Sequence, residues 1–298
     1  MEENDPASAD APQRRTDADL TWAPPGHFYS PIVDVDSLRQ RASVVFDPHA
    51  PVPDIDLRLP SQLELFRKLA AHYADLPFED VPANGLRYGF ANPAFGHGDA
   101  LILATMIRHC MPRRIIEVGS GHSSCVTLDV NERYLDNAIE CTFIEPHPDL
   151  LLSLIKPQDF ARIEIIATPV QGVGTERFAV LESGDFLFID STHVTKADSD
   201  VNHHLFRILP SLKDGVIVHF HDVFYPFEYP PRWFFDENRS WNELYALRAF
   251  LMFNRRFEIL FFNDCFAQRH RDVADALMPK FMLNSGGSLW LRKVAAAE

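Results

Sequence analysis

Asp190 and His193 stand three residues apart, directly after the apolar run Phe186-Leu187-Phe188-Ile189. A second apolar run, Val216-Ile217-Val218-His219, leads in the same way to Phe220-His221-Asp222. Carboxylates beside imidazoles can hold a cation, orient a base, or take a hydroxyl proton near neutral pH. Upstream, Arg114-Ile115-Ile116-Glu117-Val118 ends on Gly119-Ser120-Gly121-His122-Ser123-Ser124. Two glycines one residue apart let the chain turn sharply and bring a ligand close to the main chain. Ser124 stands where the dinucleotide fingerprint needs its third glycine. Cys141-Thr142-Phe143-Ile144 then ends on Glu145, an acid placed to accept hydrogen bonds from a ribose. Loop and acid together fit an adenosine-bearing ligand without a pyrophosphate better than a nicotinamide dinucleotide.

On these residues the chain resembles class I methyltransferases that use S-adenosylmethionine. The segment Glu117-Val118-Gly119-Ser120-Gly121 looks like that family's first motif, and Glu145 like its second-strand ribose acid. The resemblance covers roughly Asp99 to Leu291. It implies cofactor contacts at Glu117, Gly119, Ser120, Gly121, Ser123, Glu145 and Asp190. The two Asp/His sites look like those of small-molecule O-methyltransferases, in which carboxylates after the fourth and fifth strands hold a divalent ion. Asp190 and Asp222 match those positions. His221 stands where some relatives carry another acid, a departure that matters because hard cations prefer oxygen ligands. A softer metal accepts mixed His and Asp donors. His193, His221 and Asp222 are the candidate base and orienting residues. Three readings stay open for this cluster: loop capping with satisfied histidines, a metal-free His/Asp base, and a bound metal.

The segment Phe224-Tyr225-Pro226-Phe227-Glu228-Tyr229-Pro230-Pro231-Arg232-Trp233-Phe234 follows the fifth strand. Its prolines limit disorder and its aromatics offer stacking surfaces. Phe224, Tyr229 and Trp233 are therefore candidates for an acceptor pocket, with a packed flap or subunit contact as the alternative. His203 and His204 read as part of a helix whose apolar face is Val201, Leu205 and Ile208, which favours a surface or core role over ligation. His122, inside the glycine loop, either packs over a cofactor or faces solvent. His97 has no partner legible in the sequence.

These residues need strands to carry them to one edge. Apolar runs occur at Arg114–Val118, Cys141–Ile144, Ile163–Ile166, Asp185–Ile189, Val216–His219, Phe257–Phe262 and Ser288–Leu291. Their near-continuous Val, Ile, Leu and Phe content suits a sheet buried on both faces, with helical crossovers between parallel strands. The expected fold is α/β: a Rossmann-like, seven-stranded, mostly parallel sheet with an antiparallel last strand, helices on both faces and an N-terminal helical or irregular extension. A hairpin-like turn is expected at Asn284-Ser285-Gly286-Gly287. Capping boxes are expected at Ser61–Glu64 and Ser240–Glu243, and a helix from Asp99 to Cys110. By composition the chain divides into a mobile tail (1–24), an arm and helical cap (25–98) and the cofactor-binding domain (99–298).

With 298 residues the chain can bury one large core. Its formal net charge of -14 argues against broad binding to nucleic-acid phosphates or anionic lipid, so neither a nucleic-acid nor a membrane partner is expected. Cys110, Cys125, Cys141 and Cys265 are widely spaced, without a C-x-x-C pair or a compact disulfide framework. They read as free thiols in a reducing compartment. The acidic N-terminus lacks the order of a signal peptide, and the expected location is cytoplasmic. The leading functional reading is methyl transfer from S-adenosylmethionine to an oxygen of a small molecule or glycoside, by an enzyme that could form homo-oligomers. The alternatives are a nicotinamide-dependent oxidoreductase on a similar sheet and a cofactor-binding protein without turnover.

Overall fold

A computed structural model describes residues 21–295. The tail expected to be mobile falls, up to residue 20, outside them. Two compact units are present. The smaller takes the described residues up to Val45 together with Pro231–Ser240; the larger takes Phe46–Pro230 and the chain from Trp241 onward. In the smaller unit the helix Val35–Gln40 is capped by Asp34, whose carboxylate accepts from the amides of Asp36 and Ser37. Arg39 lies 4.3 Å from the ring centroid of Phe235.

The larger unit is built on a seven-stranded sheet in the order β3-β2-β1-β4-β5-β7-β6. The strands are β1 (Arg114–Val118), β2 (Glu140–Ile144), β3 (Ile163–Ile166), β4 (Phe186–Ile189), β5 (Ile217–Phe220), β6 (Phe257–Phe262) and β7 (Leu289–Lys293). Strands β1 to β5 pair in parallel, and β7 runs antiparallel between β5 and β6. Every residue of β4 and β5 is buried, as expected of central strands covered on both faces. From β1 the chain moves outward through β2 to β3, then returns to place β4 on the other side of β1. Parallel sheets bind ligands at such a switch point, outside the carboxyl ends of the strands.

Three local expectations are corrected. The turn Asn284–Gly287 does not close a hairpin, because residues 263–288 include the helices Asn263–Arg269 and Arg271–Leu277 before β7 begins. The helix at Ser61 starts earlier, at Leu59, with Arg58 at its N-cap in the left-handed region. Pro60 sits in that first turn, where its missing N–H costs nothing, so Ser61 is already helical and Glu64 pairs along the helix with Lys68 at 2.7 Å. The same helix belongs to the core: Phe66 is fully buried against Phe261, Phe266 and Phe281. At Ser240–Glu243 the helix Glu243–Phe253 is led by Asn242, and the Glu243 side chain turns away to a histidine described below.

All four cysteines are free. Among the described residues no helix is long and apolar enough to cross a membrane.

A buried arginine ties the loop before the first long helix to the sheet's flank. Arg87 donates to Asp159 through Nε at 2.7 Å, to Asp129 at 2.7 Å and to Glu132 at 2.8 Å. Asp129 also accepts the backbone amides of Arg87 and Tyr88. Removing the guanidinium leaves two buried carboxylates without their countercharge, so Arg87→Met is expected to cost about 3–5 kcal/mol. Denaturant unfolding monitored by tryptophan fluorescence measures this, and a loss under about 1 kcal/mol would contradict it.

Candidate active site

The turn after β1 is tighter than the sequence alone reveals. Gly119 has φ +80°, and a Cβ there would lie 1.6 Å from the carbonyl oxygen of Asp190. Asp190 in turn donates its amide to Val118. Gly121 is different: its φ is extended, and a Cβ would meet only the flexible Leu150 side chain at 3.1 Å. Of the two glycines, Gly119 is the one the close approach requires. Ser124, in place of a third glycine, accepts the amide of Gly121 at 3.0 Å and donates to Glu117 Oε1 at 3.0 Å. Ser123 donates to the same oxygen at 2.5 Å. Glu117 and Ser123 thus sit beneath the turn as its support.

The turn borders a cleft of about 440 Å³, within the range of small-molecule sites. It is lined by Val118, Gly119 and Glu145 on one side and by Asp190, Ser191 and Thr192 on the other. Glu145 accepts the His147 amide at 2.8 Å through Oε1 and the Ser120 amide at 3.4 Å through Oε2. Asp200, also on the cleft, holds the β4 exit loop by accepting from the Thr192 amide and hydroxyl at 2.8 and 2.6 Å.

Beyond the cleft the ends of β4 and β5 bring Asp190, His193 and Asp222 together. One donor atom from each lies within 4.8 Å of the others. His193 Nε2 is 3.4 Å from Asp190 Oδ1 and 3.5 Å from Asp222 Oδ2. His193 and Asp222 both adopt left-handed backbone, at φ 58° and 56°. Non-glycine residues seldom hold that conformation without support, and such residues gather at functional sites. The support at His193 is extensive. Its carbonyl accepts the amides of Asn242 and Glu243, its ring lies 4.5 Å from that of Trp241, and its Nδ1 is 2.9 Å from Glu243 Oε2.

Glu243 is the site residue that sequence reasoning missed. Its place three residues after Ser240 reads as a capping box, and nothing local shows that a helix fifty residues downstream starts against the β4 loop. The signal available was a charged residue heading an apolar helix, which is too common to single out.

The charges explain how the cluster titrates. Burial disfavours a charged His193, but hydrogen bonding to Asp190 and Glu243, with the charge of Asp222, holds its pKa well above the ordinary value. Burial also opposes charge on His221, yet Asp190, Asp222 and Asp99 push it up to about 9. Burial would raise Asp190, but His221 and His193 hold it down to about 2. His221 is buried, 3.6 Å from Asp222 Oδ1, and its Nδ1 has no hydrogen-bond partner among the described residues. His219 belongs to the core: its ring stacks on Phe188 at 3.8 Å, Nε2 lies 2.8 Å from the Ser288 hydroxyl, and burial keeps it neutral.

The expected acceptor residues have different surroundings. Tyr229 is buried, and its hydroxyl accepts the Leu244 amide at 3.1 Å, bracing the helix that carries Glu243. Phe224 packs where a Cβ on Gly287 would otherwise be, 2.8 Å from that position. Trp233 belongs to the smaller unit, where Arg239 lies 4.3 Å from its ring centroid. His97 stacks on Phe90 at 4.3 Å. His122 opens the helix after the glycine turn, and His204 is fully buried with neither ring nitrogen hydrogen-bonded among the described residues.

A family described as a methyltransferase domain matches residues 116–223, the stretch from β1 to the end of β5 that builds both the cleft and the cluster. A protein of uncharacterized function from Archaeoglobus fulgidus is 35% identical over 164 residues, covering 53% of this chain and 73% of that protein. The chain carries a methyltransferase domain. Among solved structures, an SAH-bound methyltransferase from Podospora anserina is 17% identical, with a TM-score of 0.41, over 87% of this chain and 97% of that one. A putative O-methyltransferase from Klebsiella pneumoniae is 15% identical, with a TM-score of 0.42, over 86% and 97%. Neither of these two distant likenesses carries the assignment.

Glu117 supplies a test of the turn in this methyltransferase. Burial lifts its pKa from 4.5 to about 8. Between those values the unfolded chain releases the proton that the folded chain keeps, so stability falls as pH rises from about 4.5 to 8 and then levels. Glu117→Gln removes this dependence. Thermal unfolding of the variant relative to wild type should therefore improve steadily between pH 5 and 8; a constant difference across that range would contradict the buried, protonated acid.

Proposed function

We propose that this methyltransferase moves the methyl group of S-adenosylmethionine to an oxygen of a small molecule or glycoside. The observation that carries the reading is the continuity of the site: the Gly119 turn, Glu145 and Asp190 line one cleft, and Asp190 is also a member of the His193–Asp222 cluster. The residues fit the cofactor. Glu145 offers a carboxylate for ribose hydroxyls, and the absence of a side chain at Gly119 leaves the main chain open along the cleft floor. Bound there, S-adenosylmethionine would supply a methyl group already activated by its sulfonium. The protein must then align an acceptor oxygen, remove its proton and exclude water.

Asp190 stands at the boundary between cofactor and acceptor. Asp222 faces both imidazoles, within 3.5 Å of His193 and 3.6 Å of His221. Its negative charge orients a proton on the nearer nitrogen of His221. His221 is then the base that takes the acceptor's hydroxyl proton, once the sulfonium's positive charge offsets the carboxylates that push its pKa up to about 9. An oxygen acceptor is favoured over an amine because an alcohol or phenol needs this proton removed as it attacks. Asp190 and Asp222 would hold a divalent ion where one is bound, and its positive charge would ease loss of that proton.

Calorimetry with S-adenosylmethionine and with a nicotinamide dinucleotide tests the cofactor. The former should bind, and Glu145→Ala should weaken it roughly ten- to a hundredfold through the loss of charge-assisted hydrogen bonds. Binding of the dinucleotide alone would sink the reading. For the chemical step, His221→Ala should lower methyl transfer about a hundredfold or more with little change in cofactor affinity. Wild-type turnover in that variant, against an accepted hydroxyl substrate, would remove His221 as the base.

A further inference from the structure

We propose that the cluster at the ends of β4 and β5 is a mixed nitrogen–oxygen site for a borderline divalent ion, with His193 Nε2 as a ligand and Glu243 as the residue that positions it. The inference rests on the methyl-transfer reading for the ion's use, and on donor geometry alone for its binding.

The separations are the first support. His193 Nε2 stands 3.4 Å from Asp190 Oδ1 and 3.5 Å from Asp222 Oδ2. Both exceed the roughly 2.7–2.9 Å of a strong charge-assisted hydrogen bond. They match the edges of a coordination polyhedron, because bonds of about 2.0–2.2 Å at a tetrahedral angle put donors about 3.3–3.6 Å apart. The second support comes from the far side of the ring. A ligating histidine nearly always gives its other N–H to a carboxylate or carbonyl, which sets the tautomer and raises the ligand's basicity. Glu243, itself buried, occupies that position 2.9 Å from Nδ1, leaving the Nε2 lone pair directed to the side where the two aspartates stand. The clamp is rigid: helix amides hold the His193 carbonyl, and Trp241 lies against the ring.

One imidazole with two carboxylates is a donor set for manganese, iron, cobalt or zinc; magnesium favours oxygen and water. His193, three residues after Asp190, thus adds the nitrogen donor on the β4 loop, and the change of ligand field follows from it.

The test uses the full chain stripped by a chelator. With Mn²⁺ as the probe, pulsed electron paramagnetic resonance of the wild type should show one ion coupled to a nitrogen. That coupling should vanish in His193→Asn, a substitution chosen because asparagine tolerates left-handed backbone. By calorimetry, Co²⁺ affinity should fall at least tenfold in His193→Asn, whereas Mg²⁺ affinity should change by less than about threefold. Glu243→Gln should weaken Co²⁺ about ten- to a hundredfold. A Mn²⁺ spectrum without nitrogen coupling, coupling that survives in His193→Asn, or Co²⁺ binding unaffected by Asp190→Asn would each overturn the ligand set. Undiminished Co²⁺ binding in Glu243→Gln would overturn the positioning role. S-adenosylmethionine binding to the metal-free chain is read separately: its absence defeats the methyl-transfer proposal and leaves the ion site standing, and its presence without nitrogen coupling does the reverse.

Discussion

The closest approach in the site is between Gly119 and the carbonyl of Asp190, where the ends of β1 and β4 meet with no room for a Cβ. That contact follows from the strand order. Placing β4 beside β1, after β2 and β3 have built outward on the other side, lets the exits of β1 and β4 diverge around a crevice. A larger residue at 119 would force the two exits apart. The cleft, the orientation of Asp190 and everything attached to the β4 exit depend on that spacing.

The β4 exit is held at both ends. Asp200 takes the amide and hydroxyl of Thr192, and the start of the helix Glu243–Phe253 takes the carbonyl of His193. Between those anchors His193 is kept in left-handed backbone, and its ring is fixed by Glu243 and Trp241. Strain stored in one residue is tolerated because several independent contacts over-determine it. The result is an imidazole whose direction is set before any ligand arrives, the condition that favours catalysis and tight metal binding alike.

The charge distribution gives this arrangement its chemical character. Asp99, Asp190, Asp222 and Glu243 surround two imidazoles, so the cluster keeps its histidines protonated unless a positive ligand offsets the carboxylates. A sulfonium donor on the cleft side and a divalent ion between the aspartates would both act in that direction. Phe95 at 5.3 Å from His221, and Phe188 stacked on His219, give the cluster an apolar floor that strengthens these interactions.

Much of the scaffold was legible in the residues. Apolar runs with few interruptions marked all seven strands to within one residue at their starts and two at their ends, because a strand buried on both faces cannot carry polar residues cheaply. The glycine loop and the acid after β2 were legible as a pair, since tight turns and ribose recognition each demand particular residue types. The sequence also placed Asp190, His193, His221 and Asp222 at strand ends. It could not say which glycine is sterically required, since that depends on a carbonyl seventy residues away. Nor could it show that Ser123 and Ser124 hydrogen-bond to the Glu117 carboxyl group. The hairpin expected before β7 failed because turn chemistry reports only local bending, and two helices fit between the turn and β6. Glu243 was invisible for the same reason: its partner is brought to it by packing between a loop and a helix far apart in the chain. Residue types determined which chemistry was possible here, and tertiary packing decided which nitrogen of His193 faces the two aspartates and which faces Glu243, because only packing sets what lies on each side of a ring.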